Sequence, residues 1–188
     1  MSFSVLDHYN GFVSNSFIKK DINQTNLLNK ISLTWDEYNK NNLFFSKKKK
    51  KGIYVYGPVG TGKTFLLSLF LQYSKVGKKI HFNHLMNRIH DKINSNQDKN
   101  KKLDLFIKEF CKDIKIVFID ELHIFNIVDA LLIKKIFHVL EENNIFVMTS
   151  SNFQPNNLYK NGLQRADFLP FIKHINESYD VINVDSET

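Results

Sequence analysis

The sequence has a single cysteine, Cys111, so a disulfide within the chain is excluded. This composition is typical of a reducing compartment. The chain also lacks the CxxC and HExxH patterns of common zinc sites, so its seven histidines do not predict a metal centre. No apolar run approaches the roughly 20 residues that a transmembrane helix requires, and a membrane-spanning protein is not predicted.

The N-terminus lacks the features of a targeting segment. Residues 1–20 contain no cationic start followed by an apolar block, which argues against a secretory signal. They contain no arginine and include Asp7, which argues against a mitochondrial presequence. With 188 residues, 43% of them apolar, the chain is long enough to form one globular domain with a sizeable core.

Positive charge predominates, since the net charge is +7 and Lys47–Lys51 are consecutive lysines. Such a run can bind nucleic acid or an anionic membrane face, or it can be a solvated loop. The run has no interleaved aromatic residues on which bases could stack, which favours the solvated loop. A nucleic-acid partner is therefore not expected, whereas a peripheral membrane contact stays open.

The strongest signal in the chain lies between Tyr54 and Phe70. The phosphate-binding pattern G-x-x-x-x-G-K-[ST] is matched there by Gly57, Pro58, Val59, Gly60, Thr61, Gly62, Lys63 and Thr64. The glycines let backbone amides converge on an anion at the positive end of the following helix. Lys63 is expected to reach the outer phosphates of ATP, and the Thr64 hydroxyl to ligate Mg²⁺. The alternative, a glycine-rich turn with a chance lysine, is disfavoured because a β-branched strand precedes the loop and an apolar helix follows it.

A second candidate segment is the apolar strand 114–121, which ends in Asp120 and Glu121. Ligands of parallel sheets bind beyond the carboxyl ends of the strands. Asp120 is therefore predicted to hold Mg²⁺, and Glu121 is predicted to polarise the attacking water. In the alternative interpretation the two acids only cap the next helix, and the phosphate loop makes that interpretation the weaker one.

Two further residues are candidates for catalytic roles. Asn152 follows the next predicted strand, where its amide could bond the γ-phosphate or the attacking water; a turn-forming asparagine is the alternative. Arg165 is one of only two arginines among 26 basic residues. It could reach the phosphate of a neighbouring subunit or form a surface salt bridge, and the residues alone do not decide between these roles.

The rest of the pattern predicts strands that alternate with helices, which favours a parallel sheet covered on both faces. Residues 1–45 are predicted to be helical, 46–52 to form a lysine-rich linker, 94–101 a polar loop and 150–152 a polar turn. Strands are expected at 53–56, 79–82, 114–121, 144–149 and 181–184. Helices are expected from 62 onward, through 86–89, and at 103–111, 127–140 and 158–168. Pro170 is expected to end or kink the last of these helices.

Several segments together resemble the AAA+ ATPase family that contains the bacterial cell-division protein ZapE and its mitochondrial AFG-one-like relatives. They are YVYGPVGTGKTFLLSLF, HFNHLMNRIH, VFIDELHIFNIVDALLIKKIF and VMTSSNFQPNNLYKNGLQRADFLPFI, together with Tyr9, Asp21 and Gln24. The segment LYKNGLQRADFLPFI is especially specific, because general phosphate-loop proteins lack it. The resemblance covers nearly all 188 residues.

The resemblance implies a P-loop NTPase core of the AAA+ type, an α/β/α sandwich whose parallel five-stranded sheet has the order 5-1-4-3-2. It implies a nucleotide-binding core at 46–188 behind a helical segment at 1–45, with the family's C-terminal helical lid absent. Asn152 would be the first sensor, Arg165 an arginine finger, and Gln24 would lie near the adenine. The implied location is the bacterial cytoplasm, at the inner membrane or away from it, with mitochondria as the less favoured alternative.

Three functions are consistent with these expectations. The favoured one is an ATPase that forms a nucleotide-dependent homo-oligomer and remodels a protein partner, with division-ring or inner-membrane proteins as the implied partners. The second is a nucleotide-dependent binding module with little catalysis, because the lid is missing. The third is a nucleic-acid adaptor similar to helicase loaders, for which the net charge of +7 is the only independent support.

Overall fold

The computed structural model describes residues 4–40, 49–93 and 99–184. Three predictions fall partly outside these ranges and are not tested there. The residues concerned are 1–3 and 41–45 of the predicted helical segment, 46–48 of the predicted lysine-rich linker and 94–98 of the predicted polar loop. None of the helices in the described ranges combines the length and apolar character needed to cross a bilayer.

Within the described ranges, strands alternate with helices as predicted. The strands are β1 (Gly52–Tyr56), β2 (Gly77–His81), β3 (Ile116–Asp120), β4 (Phe146–Ser151) and β5 (Tyr179–Asn183). The α-helices are α1 (Val5–Ser14), α2 (Ile22–Asn39), α3 (Lys63–Ser74), α4 (Phe82–Ile93), α5 (Lys99–Phe110), α6 (Ile127–Glu142) and α7 (Leu169–Ser178). Short 3₁₀ helices occupy Pro155–Asn157 and Arg165–Phe168.

The strands form one parallel sheet in the order β2-β3-β4-β1-β5. This is the predicted order written from the other edge, and the predicted α/β fold is confirmed. β3 and β4 are buried along their whole length, as expected for strands covered by helices on both faces. Because the strands are parallel, the loops that follow the neighbours β3, β4 and β1 meet at one edge of the sheet.

Alternate residues of β1, β3 and β4 face two separate hydrophobic cores. In β3, Ile116 and Phe118 pack with residues of α1, α2 and α3. Val117 and Ile119 pack with residues of α4, α5, α6 and α7 on the opposite face. The result is a sandwich of three layers, with the sheet in the middle.

The two N-terminal helices share the first of these cores. Ser4 caps α1 through a reciprocal pair of hydrogen bonds with Asp7, and Asp21 caps α2 by accepting from backbone amides. Leu28 and Ile31 of α2 are fully buried in the core that contains β1 and α3. Residues 4–40, the described part of the predicted helical segment, therefore contain two helices: α2 packs against β1 and α3, and α1 packs against α2 and α3.

The predicted α-helix at 158–168 is wrong. The structure has a loop there, with a left-handed backbone at three positions between 159 and 164, followed by the 3₁₀ helix Arg165–Phe168. Pro170, predicted to end or kink a helix, instead lies in the first turn of α7. A proline is well tolerated in a first turn, because the amide that it lacks has no partner inside the helix.

β4 extends further than predicted. Ser150 and Ser151, expected in a polar turn, are the last two residues of the strand and pair with Val55 and Tyr56 of β1. Both serines are 1% exposed, so the strand carries two buried hydroxyls to the edge where the site forms. The other strand boundaries shift by one or two residues from their predicted positions.

Candidate active site

The loop between β1 and α3 has the backbone geometry of an anion-binding site. Gly57, Gly60 and Gly62 have φ angles of 152°, 89° and 82°, values that disfavour residues with side chains. At Gly57 a Cβ would lie 2.1 Å from the carbonyl oxygen of Val184. Gly62 is the N-cap of α3 and has no side chain that could accept hydrogen bonds from the first amides of the helix. These amides point toward the loop, where an anion could accept from them.

Lys63 is the first residue of α3, and its side chain turns back over the loop. The ammonium donates to the carbonyl oxygens of Gly57 and Pro58 at 2.8 and 2.6 Å, and the Thr61 hydroxyl lies 3.4 Å away. Burial lowers the pKa of Lys63, while the two acids at the end of β3 oppose that shift. A cation is thus fixed beside the amides that would face a phosphate.

Asp120, at the end of β3, lies against the phosphate loop. The hydroxyls of Thr64 and Ser150 both donate to its Oδ1, at 2.7 and 2.5 Å. The ammonium of Lys79, from β2, lies 2.9 Å from Oδ2. Asp120 is fully buried, and burial raises the pKa of its carboxyl. The contacts with Ser150, Lys79 and Thr64 outweigh burial and hold that pKa below its ordinary value.

The side chains at this point fit a magnesium ion. Mg²⁺ prefers hard oxygen ligands, and in nucleotide sites it is held by a hydroxyl, a carboxylate and phosphate oxygens. The Thr64 hydroxyl and the Asp120 carboxylate provide two such groups in direct contact. The buried Oδ2 of Asp120 accepts no hydrogen bond of ordinary geometry. Its close contact is the ion pair with the Lys79 ammonium at 2.9 Å, so a metal ion at this oxygen would compete with that ammonium.

Glu121 follows β3 in an unusual backbone conformation. Its φ is 57°, a left-handed value that costs a non-glycine residue about 1–3 kcal/mol and is frequent at active sites. The Ser150 hydroxyl accepts a hydrogen bond from the Glu121 amide at 2.9 Å and so helps to hold this turn. Glu121 and Asn152 are both exposed, and both line the cleft above the phosphate loop.

These residues surround a cleft of about 550 Å³. That volume lies within the range of about 300–1,000 Å³ that is usual for ligand sites. The cleft is lined by Val59, Gly60, Gly62, Lys63, Thr64, Phe65, Ser68, Glu121, Ser150, Ser151 and Asn152. The structure therefore brings the predicted phosphate loop, Glu121 and Asn152 together, although their catalytic roles stay predictions.

Tyr9, Asp21 and Gln24 converge beside the same loop. The Tyr9 hydroxyl donates to Oε1 of Gln24 at 3.0 Å and accepts from the Asp21 amide at 3.1 Å. The side-chain nitrogen of Gln24 lies against Gly62, where a Cβ would approach it to 3.0 Å. Gln24 is therefore next to the candidate site, and its contact with adenine stays a prediction.

Arg165 lies outside the lining of this cleft, in the 3₁₀ helix that precedes α7. Its guanidinium donates to the carbonyl oxygens of Leu158 and Asn156 at 2.6 and 2.7 Å. These bonds fasten the loop between the two 3₁₀ helices. A role for Arg165 toward the phosphate of a neighbouring subunit stays a prediction.

Comparison with known proteins identifies the family. A family model described as AFG1-like ATPase matches residues 12–188, nearly the whole chain. The chain belongs to the AFG1-like ATPase family.

The cell division protein ZapE of Escherichia coli (strain K12) is 36% identical over 138 residues, which cover 72% of this chain and 37% of ZapE. Lactation elevated protein 1 homolog B of Danio rerio is 33% identical over 149 residues, which cover 72% of this chain and 30% of that protein. The chain spans about a third of the length of these relatives.

Solved structures share the fold of this AFG1-like chain at low sequence identity. A crystal structure of DnaI has a TM-score of 0.62 and 20% identity, and the match covers 90% of this chain and 87% of DnaI. A crystal structure of the DnaC helicase loader has a TM-score of 0.58 and 18% identity, and the match covers 90% of this chain and 94% of the DnaC chain. At these identities the similarity shows the fold alone.

Sequence reasoning missed three residues of this AFG1-like site. It assigns Ser150 and Ser151 to a turn, whereas both hydroxyls are buried and bond to the segment that contains Asp120. Their position directly after an apolar strand and before Asn152 is a weak signal for a strand end, because it suits a turn equally well. Lys79 offers no such signal, because only the pairing of β2 with β3 brings it to the site.

Proposed function

We propose that this chain binds ATP with Mg²⁺ in the cleft and that water cleaves the bond between its β- and γ-phosphates, which releases ADP and inorganic phosphate. The observation that carries the proposal is the 2.7 Å hydrogen bond between Thr64 and Asp120, which joins the phosphate loop to the acidic end of β3. A phosphate loop alone supports binding. The neighbouring acids add a metal ligand and a water-polarising group, which hydrolysis requires.

Each part of the site has a distinct role in this proposal. The first amides of α3 and the Lys63 ammonium bind the outer phosphates. Thr64 and Asp120 would hold Mg²⁺, which would neutralise phosphate charge. The Glu121 carboxylate orients the attacking water and accepts its proton. The Asn152 amide bonds the γ-phosphate or that water.

Equilibrium binding of a fluorescent ATP analogue tests the first step. We expect Lys63→Ala to weaken binding by about 10-fold or more, because it removes a charge-assisted contact with phosphate. Lys173→Ala is a suitable control, since that side chain is 75% exposed on α7 and lines no part of the cleft. Equal affinities of the wild type and Lys63→Ala, or no binding by the wild type, would refute the proposal.

The proposal extends to remodelling of a protein partner by a nucleotide-dependent homo-oligomer. Its support is membership of the family and 36% identity to a relative named as a cell division protein. Division-ring proteins are therefore the candidate partners, with inner-membrane proteins as the alternative. If the active site is shared between subunits, ATPase activity per chain should rise with protein concentration. Activity per chain that is independent of concentration would contradict a shared site.

A nucleotide-dependent binding module with little catalysis is the second candidate function. It is favoured by Arg165, whose guanidinium nitrogens bond to carbonyl oxygens of its own loop. Arg165→Gln separates the candidates. An arginine that acts on a neighbouring phosphate predicts loss of ATPase activity per folded chain, in addition to any change of the thermal midpoint that follows from the two lost hydrogen bonds. An arginine that only fastens the loop predicts a lower midpoint, with turnover per folded chain unchanged.

A further inference from the structure

A lysine lies against the oxygen of Asp120 that Thr64 does not contact. Lys79 extends from the edge strand β2, and its ammonium is 2.9 Å from Oδ2 of Asp120. The same ammonium is 5.2 Å from the centre of the Phe118 ring and 3.4 Å from the hydroxyl of Ser68. Because Ser68 lines the cleft, Lys79 brings a positive charge to the side of the candidate metal position.

This contact is built into the sheet. Lys79 pairs with Phe118 in the β2–β3 register, and Phe118 lies two residues before Asp120 in β3. The side chains of Lys79, Phe118 and Asp120 are therefore on the same face of the sheet, and the Lys79 side chain extends toward the carboxylate. Asp120 is fully buried, while the Lys79 side chain is 30% exposed. An isolated buried carboxylate is costly unless a cation or hydrogen bonds compensate it. Nδ1 of His81, at 3.8 Å, is more distant from Oδ2 than the ammonium is.

We propose that Lys79 is a built-in counter-cation of Asp120 that competes with Mg²⁺ and sets the magnesium concentration at which the site fills. This inference rests on the proposed function, because it concerns the metal part of the same site. Two cations that share one carboxylate repel each other. Lys79 therefore stabilises Asp120 when no metal is present and weakens metal binding. Nucleotide phosphates would offset the repulsion, because their oxygens would add negative charge to the site.

Titration of Mg²⁺ into the protein with a fluorescent ATP analogue tests the inference by binding rather than by turnover. In Lys79→Met the half-saturating Mg²⁺ concentration should fall by about fivefold or more, the lower end of typical coupling between interacting sites. Lys79→Arg keeps the charge and should stay near the wild type. Lys78→Met is the matched control, since it removes a charge from the same strand. The Lys78 ammonium donates to the carbonyl oxygen of Phe110 at 3.2 Å, so this variant should leave the Mg²⁺ titration unchanged.

The thermal midpoint separates this role from a purely structural one. Lys79→Met should unfold at a lower temperature than the wild type without Mg²⁺, and the gap should narrow at saturating Mg²⁺ and nucleotide. The inference would be overturned if Lys79→Met lowered the thermal midpoint equally without Mg²⁺ and at saturating Mg²⁺ and nucleotide, and left the Mg²⁺ titration unchanged. Lys79→Gln, which keeps a hydrogen-bond donor without the charge, serves if the methionine variant does not fold. A wild type that binds no nucleotide would overturn the proposed function and this inference with it. Normal nucleotide binding with an unshifted Mg²⁺ titration in the variant would overturn this inference alone.

Discussion

Removal of one hydroxyl, in Ser150→Ala, should destabilise the protein strongly for so small a change. Ser150 is 1% exposed, and its Oγ donates to the fully buried Asp120 at 2.5 Å while accepting from the Glu121 amide at 2.9 Å. A hydrogen bond to a charged group contributes about 1.5–3 kcal/mol, and a neutral one about 0.5–1.5 kcal/mol. The variant should therefore lose about 2–4.5 kcal/mol of the free energy of unfolding at neutral pH.

Urea unfolding followed by circular dichroism measures this loss, and Ser151→Ala is the matched control. Ser151 is equally buried, but its hydroxyl bonds to the carbonyl oxygen of Leu122 at 2.8 Å and the amide of Phe153 at 3.1 Å, both neutral groups. The control should lose about 1–3 kcal/mol, less than Ser150→Ala by about 1 kcal/mol or more. Equal losses in the two variants would refute the reasoning that Ser150 stabilises a buried charge.

The loss in Ser150→Ala should depend on pH in a defined direction. In the folded protein the contacts of Asp120 hold the pKa of its carboxyl below the ordinary value of 3.8. The stability that they contribute is fully present above about pH 3.8 and is lost as the pH falls through the folded-state pKa. Removal of the Ser150 donor raises that folded-state pKa. The difference between wild type and variant should therefore persist at pH 7 and narrow below about pH 4.

Three further substitutions have defined outcomes. Gly57→Ala should lower the free energy of unfolding, measured by calorimetry, by more than about 1 kcal/mol. The reason is that φ of residue 57 is 152° and a Cβ there would lie 2.1 Å from the carbonyl oxygen of Val184. An unchanged thermal midpoint would contradict this prediction. Tyr179→Phe should lower the free energy of unfolding, measured with urea, by about 1.5–3 kcal/mol, because the buried Tyr179 hydroxyl donates to the Glu141 carboxylate at 2.6 Å. An unchanged free energy of unfolding would contradict a stabilising role for that bond. Gln24→Ala should weaken binding of the ATP analogue about 2- to 10-fold, since Gln24 lies against Gly62; an unaltered affinity would remove Gln24 from the site.

The phosphate loop and the acidic strand end could be predicted because their chemistry is local. The spacing of Gly57, Gly62 and Lys63 forms an anion site from one turn and the start of one helix. Asp120 and Glu121 directly follow an apolar run, so the parallel sheet suggested by alternating strands and helices places them at the same edge. The sheet order came with the family resemblance, since local patterns do not specify which strands are neighbours.

Features that depend on distant partners could not be predicted from local patterns. Pro170 suits the end or the beginning of a helix, and the burial of Phe171 and Ile175 in the core decides for the beginning. Ser150 is suited to a turn, and only pairing with β1 makes it part of a strand. Lys79 reaches Asp120 only through the β2–β3 register.

Phosphate release from saturating Mg²⁺–ATP by Glu121→Gln, compared with the wild type, tests the central claim most directly. The substitution keeps the shape of the side chain and removes the carboxylate that polarises the attacking water. We predict that turnover falls by about 100-fold or more while the affinity for ATP is retained. Turnover by Glu121→Gln at the wild-type rate would contradict the account, because hydrolysis would then not depend on this acid.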